Sequence, residues 1–166
     1  CGPTSATMAI KWADESYSHP PEYGRTLYHS SGGWWYTNDM ISFIGTDSDI
    51  PIATLPLGTT AAGTWDKITH QIDLGRVVIL CLDANILTGG SAAPGHIDRF
   101  YNTTPGFGHF IVVKGYSEVD NNKLFEVYDP YNFGAVNLDG SLKGRGRYYR
   151  YEDIFKATSV WWNFAM

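Results

Sequence analysis

The first periodic stretch of the chain is residues 3–14. Ala6, Ala9, Ile10 and Ala13 recur at helical spacing, which puts an apolar stripe on one side of a helix. Pro3 suits the first turn, where a backbone N–H has no partner to lose. The period then breaks. Residues 17–37, YSHPPEYGRTLYHSSGGWWYT, hold two prolines and three glycines and read as a long surface loop. NDMISFIG reads as a short helix, with Asn38 or Asp39 near its cap and Gly45 at its end. TWDKITHQIDLG is a stronger helix, with Thr64 as its cap and Gly75 as its stop.

From residue 76 the period changes to that of strands. RVVILCLDANI is one strand, and the Gly/Pro-rich LTGGSAAPGHIDRFYNTTPGFG is a second long loop. HFIVVKGY, KLFEVYDP, GRYYRYED and ATSVWWNFAM follow, each rich in β-branched or aromatic residues, with VWWNF read as a buried strand. Helices come first and strands last. That segregation predicts an α+β fold with a mainly antiparallel sheet. No repeat, linker or low-complexity tract divides the chain, so residues 1–166 read as a single domain.

Composition narrows the function classes. The 166 residues are 43% hydrophobic and 15% aromatic, which fits a globular chain with a real core and not a disordered one. A net charge of −5 argues against nucleic acid as the main partner. KGRGRYYRY is the one basic stretch, and its Arg145, Arg147 and Arg150 read as a solvated strand face. No apolar run is long enough to span a bilayer, so membrane insertion is not expected.

Two cysteines do not make a disulfide framework. Cys81 lies inside VVILCL and is expected to be buried and inert. Cys1 begins a helix. A nucleophile, a lipid-attachment site and a mere chain start compete to explain it. Lipidation would consume the thiol and would call for a flexible tether, whereas a helix begins at once.

The partners for such a thiol come from the two strands HFIVVKGY and KLFEVYDP, separated by the polar SEVDNN. If Tyr116 faces Asn122 or Lys123 in an antiparallel hairpin, His109 stands opposite Asp129 or Pro130. Directly opposed side chains lie roughly 4.5–5.5 Å apart at Cβ, and a one-residue slip would separate them. A carboxylate on one ring nitrogen fixes the tautomer and leaves the other nitrogen for a nucleophile. Cys1 at a helix start is suited to that role, because the helix dipole and a nearby imidazolium favour thiolate. The site residues predicted on these grounds are Cys1, His109 and Asp129. His19, His29, His70 and His96 compete with His109, His96 most closely because PGHIDRF sets a carboxylate beside it. Asn132 is the fallback for Asp129. Trp34, Trp35 and Tyr36 serve equally well as core or as a substrate wall.

CGPTSATMAI resembles the catalytic-helix opening of papain-like cysteine peptidases related to the bacteriocin-leader-processing peptidase domains. DLGRVVILCLD is similar to that family's Gly-x-Pro/Val-Val strand, GHFIVVKGY to its catalytic histidine strand, FEVYDPYN to its Asp-Pro segment, and YYRYEDIF to its aromatic strand and acidic turn. The resemblance covers most of the chain, with 17–37 and 84–107 least matched. It implies a papain-like fold in which an N-terminal catalytic helix packs on the sheet. It implies Cys1 as nucleophile, His109 as base, Asp129 as the residue orienting it, and an acyl-enzyme intermediate. A peptide or protein substrate follows, with isopeptide or other amide bonds as variants, and no metal or organic cofactor is implied. One departure stands out. The family's Gln a few residues before the Cys, an oxyanion donor worth about 100-fold or more in rate, has no counterpart here, and Gln71 is the only Gln.

Two rivals remain open. An N-terminal-nucleophile amidohydrolase would use the Cys1 amine as its base and give no role to His109. A degenerate peptidase fold would bind through its Trp/Tyr loops, with glycans as one ligand class. A secreted or delivered bacterial protein is expected, with an upstream precursor segment as a further partner.

Overall fold

Val78–Asp83 is buried at every position, so neither face of this strand meets water. A strand of that kind needs cover on both sides, and the rest of the chain provides it. The computed structural model describes residues 1–87, 106–131, 134–160 and 162–166. In chain order the elements are α1 (Gly2–Ala13), α2 (Pro21–Leu27), α3 (Thr37–Ser42) running into a wider turn over Phe43–Asp47, β1 (Leu55–Pro56), α4 (Ala61–Asp73), β2 (Val78–Asp83), β3 (Gly108–Val119), β4 (Asn122–Tyr128), β5 (Arg147–Arg150), α5 (Tyr151–Ser159) and β6 (Phe164–Ala165). The strands form one sheet in the order β1-β6-β2-β3-β4-β5, with antiparallel neighbours. The architecture is α+β, as the pattern predicts.

Side-chain alternation along the strands divides the core in two. Leu80, Leu82, Ile111, Val113, Phe125 and Val127 pack with Trp65 and Ile68 of α4 and with Ile154 and Ala157 of α5. Ile79, Cys81, Phe110 and Val112 point the other way, onto Ala6, Ala9 and Ile10 of α1 and Met40 of α3. Ala6, Ala9 and Ile10 of the apolar stripe legible in residues 3–14 therefore dock α1 on the sheet, while Ala13 at its end is exposed.

Four local expectations need correction. The stretch 17–37 contains α2, opened by Pro20 and Pro21 at the positions where a helix tolerates proline. Helix α4 starts earlier than predicted: Thr60, not Thr64, is its cap, its hydroxyl accepting from the Gly63 N–H at 3.1 Å, while Thr64 is buried. Strands do not close the chain without interruption. YEDIFKATS is helical, with Glu152 and Asp153 in the first turn, where the dipole favours them, and with buried Ile154, Ala157 and Thr158 at helical spacing. The last strand is consequently only Phe164–Ala165, and Val160 of VWWNF is exposed. The mean pattern of aromatic residues hid this helix.

Asp83 closes β2. Its carboxylate accepts from the N–H groups of Asn85 at 3.0 Å, Phe107 at 3.2 Å and Gly106 at 2.8 Å. It thus ties the departure of the chain after β2 to its return into β3.

Candidate active site

The turn between β3 and β4 is the pair Asp120 and Asn121, with φ of 50° and 62°. Two positive-φ residues make the tight turn that matches strand twist. It pairs Val119 with Asn122 and Tyr116 with Phe125, not Tyr116 with Asn122 or Lys123 as expected. A bulge at Lys114 then shifts the ladder, so that Val113 pairs with Val127 and Val112 with Tyr128. Continued by one step, this register sets Asp129 opposite Ile111. His109 is therefore a diagonal neighbour of Asp129 on the same face, not a directly opposed one. Without the bulge, Asp129 would fall opposite Val112, on the wrong face. The contact itself is made: His109 Nε2 lies 2.8 Å from Asp129 Oδ1, and both residues are buried.

A third strand completes the arrangement. Arg147 pairs with Val127 across β4 and β5, which brings it diagonally beside Asp129 from the side opposite His109. Its Nη1 donates to Asp129 Oδ2 at 3.0 Å and to the Tyr149 hydroxyl at 2.7 Å. The Tyr149 hydroxyl in turn donates to the same Oδ2 at 3.1 Å. The Tyr131 N–H donates to Oδ1 at 2.8 Å. Arg147 is thus buried and paired, a correction to its reading as part of a solvated face. Its neighbours Arg145 and Arg150 are exposed, as expected. Arg147 and Tyr149 were legible in principle: residues two apart on a strand share a face, and the apolar partners of Tyr149 fix which face that is.

Cys1 is exposed and caps the start of α1. Two contacts hold that helix start in place. Gly2 lies so close to Trp35 that an added Cβ would stand 2.6 Å from the Trp35 Cβ. One turn on, the buried Ser5 hydroxyl donates to the Phe110 carbonyl at 3.0 Å. Phe110 follows His109, so the turn carrying Cys1 is fastened to the strand carrying His109. Cys81 is buried as predicted, and burial pushes its thiol up to about 12.

The competing histidines are elsewhere. His29 pairs with Asp39 at 3.0 Å, His19 stacks on Tyr23 with ring centres 4.1 Å apart, and His70 is exposed on α4. His96 and Asn132 lie outside the described residues. Gln71 accepts from Arg76 at 2.9 Å near the end of α4. Trp35 belongs to the core, whereas Trp34 and Tyr36 are exposed. Trp34 meets Phe107 edge-on, Phe107 meets Tyr131, and Tyr131 meets the His109 ring at 5.8 Å, an aromatic wall leading outward from the histidine. Beside Asp129, a groove of about 530 Å³ runs along α1 past Met8, Trp12 and Leu142, with Lys11 and Arg145 among its lining residues. Among the described residues no group of three His, Cys, Asp or Glu side chains could hold a metal ion, and no helix is long and apolar enough to cross a membrane.

No curated protein and no solved structure matches the chain. The model of one protein family does, the Peptidase_C39 like family, and the match runs over residues 1–156, from the start of α1 into α5. His109 and Asp129 both fall inside it. The chain belongs to the Peptidase_C39 like family, whose members are cysteine peptidases related to the bacteriocin-processing C39 enzymes.

Proposed function

We propose that the chain is a papain-like cysteine hydrolase that cleaves peptide or related amide bonds, with Cys1 as nucleophile, His109 as base and Asp129 as the residue that orients it. The observation that carries this reading is the buried 2.8 Å contact between His109 Nε2 and Asp129 Oδ1, on the strand to which the Cys1 helix is fastened through Ser5.

With Asp129 on Nε2, proton exchange with a thiol falls to the other ring nitrogen, Nδ1. Transfer of the Cys1 proton to Nδ1 gives a thiolate and imidazolium pair, favoured at a helix start. The thiolate attacks the substrate carbonyl carbon. The C–N bond breaks as the imidazolium returns its proton to the leaving amine, and a thioester remains on Cys1. Water then attacks the thioester, giving one proton to His109 and releasing the acid. The groove along α1, lined by Thr4, Met8, Trp12 and Asp129, has room for side chains of a peptide and supports that substrate class.

The test is intact-mass analysis after brief iodoacetamide treatment at graded pH, with Cys1→Ala and His109→Ala as controls. A single fast adduct on Cys1 below neutral pH, lost in His109→Ala, is expected. Reaction only near the ordinary thiol pKa of about 8.5, with His109→Ala unchanged, would overturn the triad.

A further inference from the structure

We propose that Arg147 is a positioning residue for the peptidase reaction, keeping Asp129 ionised and fixed in rotation while it holds His109; the inference rests on the triad reading above. Three neighbouring strands each contribute one side chain to the same sheet face: His109 from β3, Asp129 just past the end of β4, and Arg147 from β5. The carboxylate is shared between them. Oδ1 takes His109 and the Tyr131 N–H, and Oδ2 takes Arg147 and Tyr149.

That division has a chemical consequence. A carboxylate with no exposed surface tends to take up a proton, because burial disfavours the charged form. A protonated Asp129 would no longer support an imidazolium on His109. The guanidinium at 3.0 Å offsets the burial, and the Tyr149 hydroxyl adds a donor to the ionised form. Asp129 is met by His109 from β3 and by Arg147 and Tyr149 from β5, and the groove beside it is also lined by the cations Lys11 and Arg145. Of the cations, Arg147 alone is both buried and bonded to the carboxylate among the described residues. Its bond to Tyr149 at 2.7 Å stops the pair from swinging independently.

The prediction separates a charge role from a merely structural one. Cys1 alkylation by iodoacetamide is followed from about pH 5 to about pH 9 in the full chain and in Arg147→Met, Arg147→Lys, Tyr149→Phe and His109→Ala. In Arg147→Met the rate at the acid end is expected to fall about tenfold or more relative to the alkaline end, one pKa unit being a factor of ten. Arg147→Lys restores most of that limb, and Tyr149→Phe shifts it by less than Arg147→Met does. A uniform loss at every pH, or a folded Arg147→Met with an unchanged acid limb, overturns the inference. If Arg147→Met does not fold, Arg147→Gln takes its place: a lowered acid limb supports the inference and an unchanged one overturns it. An original chain with no acid limb for His109→Ala to remove overturns the triad reading, and this inference with it.

Discussion

Ser5 and Phe110 are joined across 105 positions of sequence by one hydrogen bond of 3.0 Å, from a buried hydroxyl to a backbone carbonyl. Its two ends stand one helical turn after Cys1 and one residue after His109. The bond therefore sets the distance between a helix start and a strand start that nothing in the local sequence connects. Ser5→Ala leaves the carbonyl short of a buried donor, a loss of about 1–2 kcal/mol. Urea unfolding should show that loss. The acid-side alkylation of Cys1 should weaken more than its alkaline-side alkylation, since only the former depends on His109.

Gly2 gives a steric version of the same test. A methyl group there meets the Trp35 Cβ at 2.6 Å, and Trp35 is held in the core by Phe43 and by its own indole N–H on the Tyr28 carbonyl at 3.1 Å. Gly2→Ala is expected to cost about 1–3 kcal/mol through overpacking. Thermal melting measures it, and a melting temperature equal to that of the parent chain would contradict the contact.

The two thiols should separate cleanly. Cys1 is exposed and Cys81 is pushed up to about 12 by burial. The native chain should take one alkyl group and the urea-unfolded chain two, as read by intact mass. A second consequence follows from linkage. Above pH 9 the unfolded state releases the Cys81 proton while the folded state keeps it, so stability falls with rising pH in that window, by up to about 1.4 kcal/mol per unit. Below pH 9 both states hold the proton and the contribution is flat. Cys81→Val should unfold with a shallower alkaline slope.

Asp83→Asn replaces an acceptor of three backbone N–H groups with a side chain whose amide faces some of them as a second donor. The expected cost is about 1–3 kcal/mol, measured by urea unfolding. Hydrogen exchange at Gly106 and Phe107 should accelerate, because those N–H groups are the ones the carboxylate holds.

Much of this was legible in the sequence, for identifiable reasons. The stripe Ala6, Ala9, Ile10 gave the buried face of α1, and unbroken VILCL gave a strand covered on both sides. His109 and Asp129 could be brought together because they lie near the outer ends of two strands joined by a short polar turn. The register that does so was not legible. It depends on the compact Asp120–Asn121 turn and on a bulge at Lys114 whose two shifts combine to leave His109 and Asp129 on the same face. No single residue type announces a bulge. Arg147 was missed for a related reason, since a charged side chain on an alternating strand reads as solvated until its buried counterion is known. Helix α5 was hidden because its first residue, Tyr151, continues the aromatic run of the strand before it, and only burial at helical spacing decides otherwise.

The clasp made by Asp83 gives the fold a seam. The chain leaves β2 and re-enters β3 through one carboxylate that grips both banks, and β2 and β3 are locked in register right up to that point, Leu82 against His109 and Asp83 against Gly108. Loss of that carboxylate would therefore loosen the first residues of β3 and reach His109 through the backbone alone, with no side chain of the site touched.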